Sequence, residues 1–304
     1  MVLELIQQKL KCGKISKANN RCNFFVNDIK SLKNIVIPLF NENKLKSSKF
    51  SQFLIFEKAV KLMANKDHLL VKNKALIISL HNEIKLKKEL PLTIKINDSW
   101  LLGFIEGDAS FSTSNFRPRL KFENHVKETE LIKMIKLYLD AGSLIIKTRT
   151  RQGINENPVC VLDITNINIL YNNILSKYDS SDFLTKKRLD YYDWSIIVYL
   201  NYYGYHLLTE GILFINKLKS QMNNYRLSTY KKKAGLSFDI DNSLTSFLVS
   251  ESGLGSKKEE LKKILNLDAP YKIENGVRVN VITSKRVSET KTKTKTKTKT
   301  KKDN

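Results

Sequence analysis

The sequence predicts an α+β fold built from two copies of one helix–strand unit. Three observations point there: a self-similarity held at one spacing over a long stretch, a short glycine-spaced helix that ends in acids, and strands whose alternate residues are basic. The chain has 304 residues and 41% hydrophobic content, enough to bury a sizeable core in one or two domains.

The self-similarity comes first. "HLL" occurs at His68–Leu70 and again at His206–Leu208, an offset of 138. At that offset Phe40 faces Tyr178, Lys49 faces Lys187, Phe53 faces Tyr191 and Phe56 faces Trp194. Val60, Leu62, Ile77 and Leu80 likewise meet Val198, Leu200, Ile215 and Leu218. One tripeptide matches by chance easily; a maintained register of apolar, aromatic and lysine positions does not. Upstream, "ELI" at Glu4–Ile6 matches Glu130–Ile132, and "CG" at Cys12–Gly13 sits where "AG" lies at Ala141–Gly142. An extra loop around "TRQGINENP" in the second copy accounts for the changed offset. Each copy reads as helix, Gly turn, strand pair, helix, aromatic-rich segment, "HLL", helix.

Charge narrows the partners. Lys and Arg outnumber Asp and Glu 53 to 30, a net charge of +23. The terminal residues 290–304 hold seven lysines and one aspartate, so the body stays basic without them. That surplus points to a polyanion, with nucleic acid the default. Three cysteines without a CxxC pair argue against a disulfide framework or structural zinc. No apolar run is long enough to span a bilayer, so no membrane partner is expected. "MVLELIQQKLKCGKIS" is neither a signal nor a transit peptide and reads like the middle of a folded domain. No G-x-x-x-x-G-K-[ST] loop supports nucleotide hydrolysis. Heavy use of Lys, Asn and Ile suits A+T-rich coding DNA of an organelle.

Residues 1–95 form the first, partial copy. Residues 96–230 form the second, and it opens on an element the first lacks. In "WLLGFIEGDASFS", Asp98 and Ser99 are N-cap candidates for a helix from about Trp100 to Asp108. Gly103 and Gly107 lie four apart on one face, where glycine is costly unless another backbone approaches closely. If the partner is an equivalent helix, Glu106 and Asp108 meet like charges at its foot, which calls for protonation or an oxygen-loving cation such as Mg²⁺. The other reading is a buried helix whose acids simply reach solvent. "SFSTS" sets Ser110, Ser112 and Ser114 on one strand face. In "RPRLKFE", Arg117, Arg119 and Lys121 alternate with apolar residues, and in "IIKTRTR", Lys147, Arg149 and Arg151 alternate with threonines. Half-buried strands with one basic face offer cations to phosphates and polar side chains to base edges.

Residues 231–285 form an accessory segment: a basic linker "YKKKAG", a helix "SKKEELKKILNL", and a hairpin turning at Asn275–Gly276. Residues 286–304 form a disordered Lys-Thr tail. The four histidines show no metal-ligand spacing, and His68 and His206 occupy equivalent turns.

"LLGFIEGDA" at Leu101–Ala109 resembles the signature of the LAGLIDADG homing endonucleases, with Ala109 in place of the usual final glycine. "KFENHVKETELIKMIKLYL" resembles the family's second strand and following helix, and "KKRLDYYDW" its K-x-x-D-[FY]-x-x-W segment. "GYHLLTEGILFINKLKSQMNNYRLST" resembles the closing helices of mitochondrial intron-encoded members. The resemblance covers about residues 1–230. It implies αββαββα repeats forming a pseudo-twofold saddle of antiparallel sheets over double-stranded DNA, with the motif helices packed at its centre. It aligns Asp108 with the metal-binding acid and makes Glu106 a second candidate, at a position whose family counterpart often makes structural contacts. Lys187 aligns with a basic residue near the scissile phosphate, and Lys49 is its first-copy partner. The implied activity is Mg²⁺-assisted, site-specific cutting of both DNA strands by an intron-encoded protein of the mitochondrion, or alternatively of the plastid. An RNA maturase acting on the intron, or an inactive copy that still binds DNA, shares the scaffold. The missing first motif helix would come from upstream sequence or from another chain.

Overall fold

A computed structural model describes residues 2–18, 21–85, 95–148, 150–151, 154–155, 157–223 and 251–287, with backbone alone at 71–72, 150–151, 154–155 and 251–256. Arg149, the linker at 230–235 and residues 288–304 of the Lys-Thr tail lie outside these residues. The first two tail positions are ordered against the strand Val277–Asn280, with Arg286 bridged to Val279 and the Val287 amide donating to the Arg278 carbonyl at 2.9 Å, so the expected disordered tail does not begin at 286. The chain divides into two compact units, one of Met1–Val198 with Ile215–Asp239, the other of Tyr199–Phe214 with Ile240–Asn304. No helix among the described residues is long and apolar enough to cross a membrane.

The first copy runs as helix α1 (Val2–Leu10), antiparallel strands β1 (Lys14–Ala18) and β2 (Arg21–Phe25), irregular helix α2 (29–42), helix α3 (Lys49–Ala64), a one-turn 3₁₀ segment Asp67–Leu69, and helix α4 (Val71–Lys85). Asp28 starts α2 by accepting from the Ser31 amide at 2.7 Å. Its middle, Leu32–Val36, is a π-helical turn that carries one residue more than the α-helical spacing. Leu32 and Ile37 then bury themselves against Phe53 and Val60 of α3, with the Phe40 and Phe53 rings edge to face.

The second copy opens with helix α5 (Asp98–Asp108) and strands β3 (Ala109–Ser114) and β4 (Arg117–His125). It continues with helix α6 (Thr129–Leu139), strand β5 (Ser143–Lys147), the short ribbon β6 (Thr150–Arg151) and β7 (Ile154–Asn155), strand β8 (Val159–Ile164), and irregular helix α7 (167–175). Helix α8 (Lys187–Tyr202), a 3₁₀ turn Tyr205–Leu207 and helix α9 (Thr209–Gln221) close it. The offset of 138 is visible in the elements themselves. It carries both ends of α3 onto both ends of α8, Asp67–Leu69 onto Tyr205–Leu207, and the π-turn at Leu32 onto one at Leu170. Gly13 and Gly142 also correspond, with φ of +81° and +93°. A Cβ there would lie 2.6 Å from Phe24 in one copy and 2.7 Å from Leu162 in the other, so both turns demand glycine by conformation and by space. Among the described residues the first copy has no counterpart of α5, β3 and β4.

One antiparallel sheet, in the order β3-β4-β8-β5, carries the second copy. Period-two alternation sends Leu120, Phe122, Cys160, Leu162 and Ile164 to a fully buried face. Helix α6 packs on that side and buries Leu131, Ile132, Ile135 and Leu139. Helix α5 adds Leu101 and Ile105, and its Phe104 ring stacks between Trp100 and Phe122 at 5.0 and 5.9 Å. Each such residue contributes about 1.5–3 kcal/mol by leaving water. An aromatic group of Phe111, Phe183, Tyr191 and Trp194 joins β3 to α8.

In the second unit, helix α10 (Glu251–Leu265) precedes a hairpin of β9 (Tyr271–Glu274) and β10 (Val277–Asn280). Asn275 and Gly276, with φ of 49° and 74°, form the expected two-residue turn. The buried Arg278 guanidinium lies over the rings of Tyr202 and Tyr271, 5.6 and 5.9 Å from their centroids.

Candidate active site

Helix α5 begins at Asp98, two residues earlier than the sequence suggests. Asn97 caps it, accepting from the Trp100 amide at 2.8 Å, because Asp98 is taken by other partners. The Asp98 carboxylate accepts from the Tyr138 hydroxyl at 2.7 Å and from the Lys177 ammonium at 2.9 Å. Those donors hold it below the usual carboxylate range. The helix therefore enters the fold anchored to α6 and to the segment after α7.

Its faces differ sharply. Leu101 and Ile105 are buried, whereas Gly103, Gly107 and Asp108 are exposed. A Cβ built on either glycine meets nothing within 4 Å among the described residues. The helix then passes straight into β3: Ala109 has φ −86° and ψ 160°, so a final glycine is not needed there.

The foot of the helix is pinned from α8. Lys187 Nζ donates to the Ile105 carbonyl at 3.1 Å and also to the Ala109 carbonyl. A cation on the last-turn carbonyls satisfies acceptors that a helix end leaves open and complements its dipole. The Lys187 amide donates to Thr185 Oγ1 at 3.2 Å, and the Thr185 amide donates to the Glu106 carboxylate. The start of α8 and the end of α5 thus hold each other through backbone atoms. Burial keeps the Lys187 ammonium below the ordinary lysine range, against the opposing pull of Asp108, Asp190 and Glu106. Asp190, one helical turn on and fully buried, accepts from the Asn223 amide at 3.0 Å. The Asn223 side chain in turn donates to the Phe111 carbonyl at 2.9 Å.

Asp108 has a neighbour that the alternation of β4 does not flag. Asn124 Nδ2 donates to its carboxylate at 3.4 Å, while Asn124 Oδ1 is buried with no hydrogen-bond partner among the described residues. A carboxylate and an unpaired amide oxygen form an oxygen donor set of the kind Mg²⁺ or Ca²⁺ takes. Among the described residues no group of three or more His, Cys, Asp or Glu side chains stands ready for a metal. The donors here fit one part of such a site.

In the first copy, the Lys49 amide donates to Ser47 Oγ at 3.3 Å, as Lys187 does to Thr185, but its side chain is exposed. The neighbouring Ser48 donates its amide at 3.0 Å, and its hydroxyl, to the Glu128 carboxylate. Glu128 of the second copy thus holds the start of α3 much as Glu106 holds the start of α8.

The sheet face opposite the core gathers most of the polar residues singled out from the sequence. Ser110, Ser112 and Ser114 pair in register with Lys121, Arg119 and Arg117, and Lys147 joins the same face through Val159 and His125. Arg117 and Lys147 are exposed. Arg119 and Lys121 are bound to Asp163 and Glu123 respectively. The basic row expected over Lys147, Arg149 and Arg151 is divided, because β5 ends at Lys147 and Arg151 belongs to the separate β6–β7 ribbon.

The family model of the LAGLIDADG endonucleases matches residues 1–60 and 101–198, more than half of the chain and both copies. The chain belongs to the LAGLIDADG endonuclease family. It is 28% identical over 203 residues to the uncharacterized mitochondrial protein RF1 of Saccharomyces cerevisiae, covering 60% of this chain and 42% of that one. It is also 28% identical over 248 residues to the probable intron-encoded endonuclease 3 of Neurospora crassa, covering 71% and 45%. The chain thus spans less than half the length of these curated relatives. Among solved structures, the LAGLIDADG homing endonuclease I-LtrWI bound to target DNA superposes with a TM-score of 0.61 at 26% identity, over 74% of this chain and 84% of that one. I-SmaMI bound to cleaved DNA superposes with a TM-score of 0.64 at 24% identity, a likeness of fold. The LAGLIDADG motif helix is α5, and the residues around its foot that composition and period did not single out are Asn124, Thr185 and Asp190. Asp190 alone carried a sequence signal, as the acid three residues after Lys187 on one helix.

Proposed function

We propose that this LAGLIDADG protein is a divalent-metal-dependent endonuclease that cuts both strands of a specific DNA site, as an intron-encoded protein of the mitochondrion. The observation that carries the reading is Asp108, exposed at the foot of an open glycine face while Lys187 fixes the backbone beside it. Residues 96–230 act as a complete repeat. The open face of Gly103 and Gly107 receives an equivalent helix from other residues of the complete product or from another chain. That arrangement brings a second acid to Asp108. In support, the relatives include proteins named as probable intron-encoded endonucleases, and the solved structures include members bound to DNA.

Asp108 would hold the cation, with Asn124 Oδ1 as a neighbouring oxygen and Glu106 committed to the Thr185 backbone. When bound, a divalent cation activates water and neutralises charge on the leaving oxygen. Lys187 spends two of its three donors on carbonyls, so one N–H and its positive charge remain for a phosphate oxygen. The serines, Arg117 and Lys147 on the outer sheet face take the DNA backbone and base edges.

The test is Asp108→Asn in the full-length chain, assayed on supercoiled plasmid carrying the intron-less junction with Mg²⁺. Cutting is expected to vanish while duplex binding persists. Cutting that survives the substitution overturns the site. A protein that supports intron splicing and never cuts DNA overturns the nuclease reading in favour of a maturase.

A further inference from the structure

The outer face of the sheet carries an arginine, Arg119, that is already held. Arg119 Nε donates to one oxygen of Asp163 at 3.0 Å, and its Nη2 donates to the other. The guanidinium is therefore gripped along one edge, by an acid on the adjacent strand of the same sheet, with β4 pairing β8 at Lys121 and Asp163. Both side chains keep partial access to solvent, 31% for Arg119 and 21% for Asp163. On its other flank Arg119 faces Ser112 of β3. We infer that Arg119, oriented by Asp163, reads a guanine in the major groove, and that Asp163 is the positioning residue that makes this position specific. The inference rests on the double-stranded DNA reading above.

The chemistry selects the base. A guanidinium has five N–H donors in a planar fork. Nε and one Nη2 hydrogen are spent on Asp163, which leaves the outer edge, Nη1 with the second Nη2 hydrogen, as a parallel pair of donors. Guanine offers two acceptors side by side, O6 and N7, whereas adenine offers one acceptor next to a donor. Thymine offers a single acceptor and a methyl, and cytosine a donor. A phosphate is disfavoured at the same spot, because it would bring a second anion beside the Asp163 carboxylate. A neutral acceptor pair suffers no such repulsion. The bidentate grip also removes side-chain freedom before DNA arrives, so less ordering remains to be done on binding. The same ion pair raises the Arg119 proton affinity above its ordinary value, in keeping with a cation that stays charged in contact with its acid.

The experiment selects binders for the full-length chain from a randomised duplex DNA library, with wild type, Asp163→Asn and Arg119→Lys in parallel. Wild type is expected to prefer guanine at one position by roughly 5- to 150-fold, the range of a good bidentate contact. Asp163→Asn and Arg119→Lys are expected to lose that preference alone, to within about threefold of parity, while other selected positions persist. Wild type should show the same loss against 7-deazaguanine at that position, since N7 is then absent. Arg119→Lys keeps the charge and protects the test if Asp163→Asn folds poorly. Preference left intact in both variants overturns the inference, as does Asp163→Asn tightening binding to every sequence alike, which would mean the acid merely tempers charge. Failure of the wild type to select any sequence sinks the DNA reading itself, and the inference with it.

Discussion

Replacing Gly103 and Gly107 by alanine separates the properties of the chain from those of the active assembly. Both glycines lie in α5 with exposed faces, and an added Cβ meets nothing within 4 Å among the described residues. Helix propensity then acts alone: alanine at Gly103 in the helix interior is worth about 1 kcal/mol, and about half that at Gly107 in the last turn. For a chain of this size the pair should raise the midpoint of thermal unfolding by roughly 3–6 °C. In the proposed assembly the same methyl groups stand where a second backbone must approach, and overpacking such a contact costs about 1–3 kcal/mol. The double variant should therefore be more stable as a chain and slower in cutting plasmid DNA, by roughly 5- to 150-fold if that cost is felt in the assembled site. Calorimetry and a cleavage time course read the two effects separately. A lowered unfolding midpoint would show that the face is already covered in the chain. Unimpaired cutting would show that no helix packs there.

Lys187→Met tests the half-buried ammonium. Burial puts the folded pKa below the unfolded one, so between the two the unfolded chain binds the extra proton, and this lysine's contribution to stability rises with pH there and is lost as pH falls through the folded value. Urea midpoints of wild type relative to Lys187→Met should rise from pH 8 to pH 10.5; a constant difference would refute the assignment. Trp194→Ala removes the centre of the aromatic group and should cost about 3–5 kcal/mol by urea unfolding. Trp194→Phe should cost far less, because the buried indole N–H has no partner among the described residues. Glu128→Gln keeps an acceptor for the Ser48 amide but removes charge from the start of α3, and should lower stability by about 0.3–1 kcal/mol, less in high salt. Gly142→Ala forces a methyl against Leu162 at a φ of +93°, and should destabilise by more than about 1 kcal/mol.

The repeat was legible because apolar spacing is a local record of which helix faces are buried. An offset read from "HLL" and a few aromatics lands on both ends of α3 and α8. The acid-tipped helix was legible too, since glycine pairs and terminal acids carry a physical cost wherever they occur. What holds that helix in place was not. Lys187 reaches carbonyls of Ile105 and Ala109 across 82 and 78 residues, and nothing in a lysine's own neighbourhood says it will spend its donors on a helix end. Asn124 was hidden for a different reason. Period-two logic assigns its side of β4 to the core, but near the end of the strand that side runs past the foot of α5, where a polar group has a purpose. The alternation reads as cations for phosphate; Asp163 and Glu123, on the same face, already partner Arg119 and Lys121.

The π-turns at Leu32–Val36 and Leu170–Leu175 set the phase of the chain that follows them. One surplus residue in a helix advances everything after it by about 100° around the axis. The turn therefore works as a phase setting for the segment that leads into the lysine-bearing helix, Lys49 in one copy and Lys187 in the other. Both copies keep the same setting at the same offset, although their side chains differ. Deleting one residue from a single copy would therefore put its lysine-bearing helix out of step with that of the other copy.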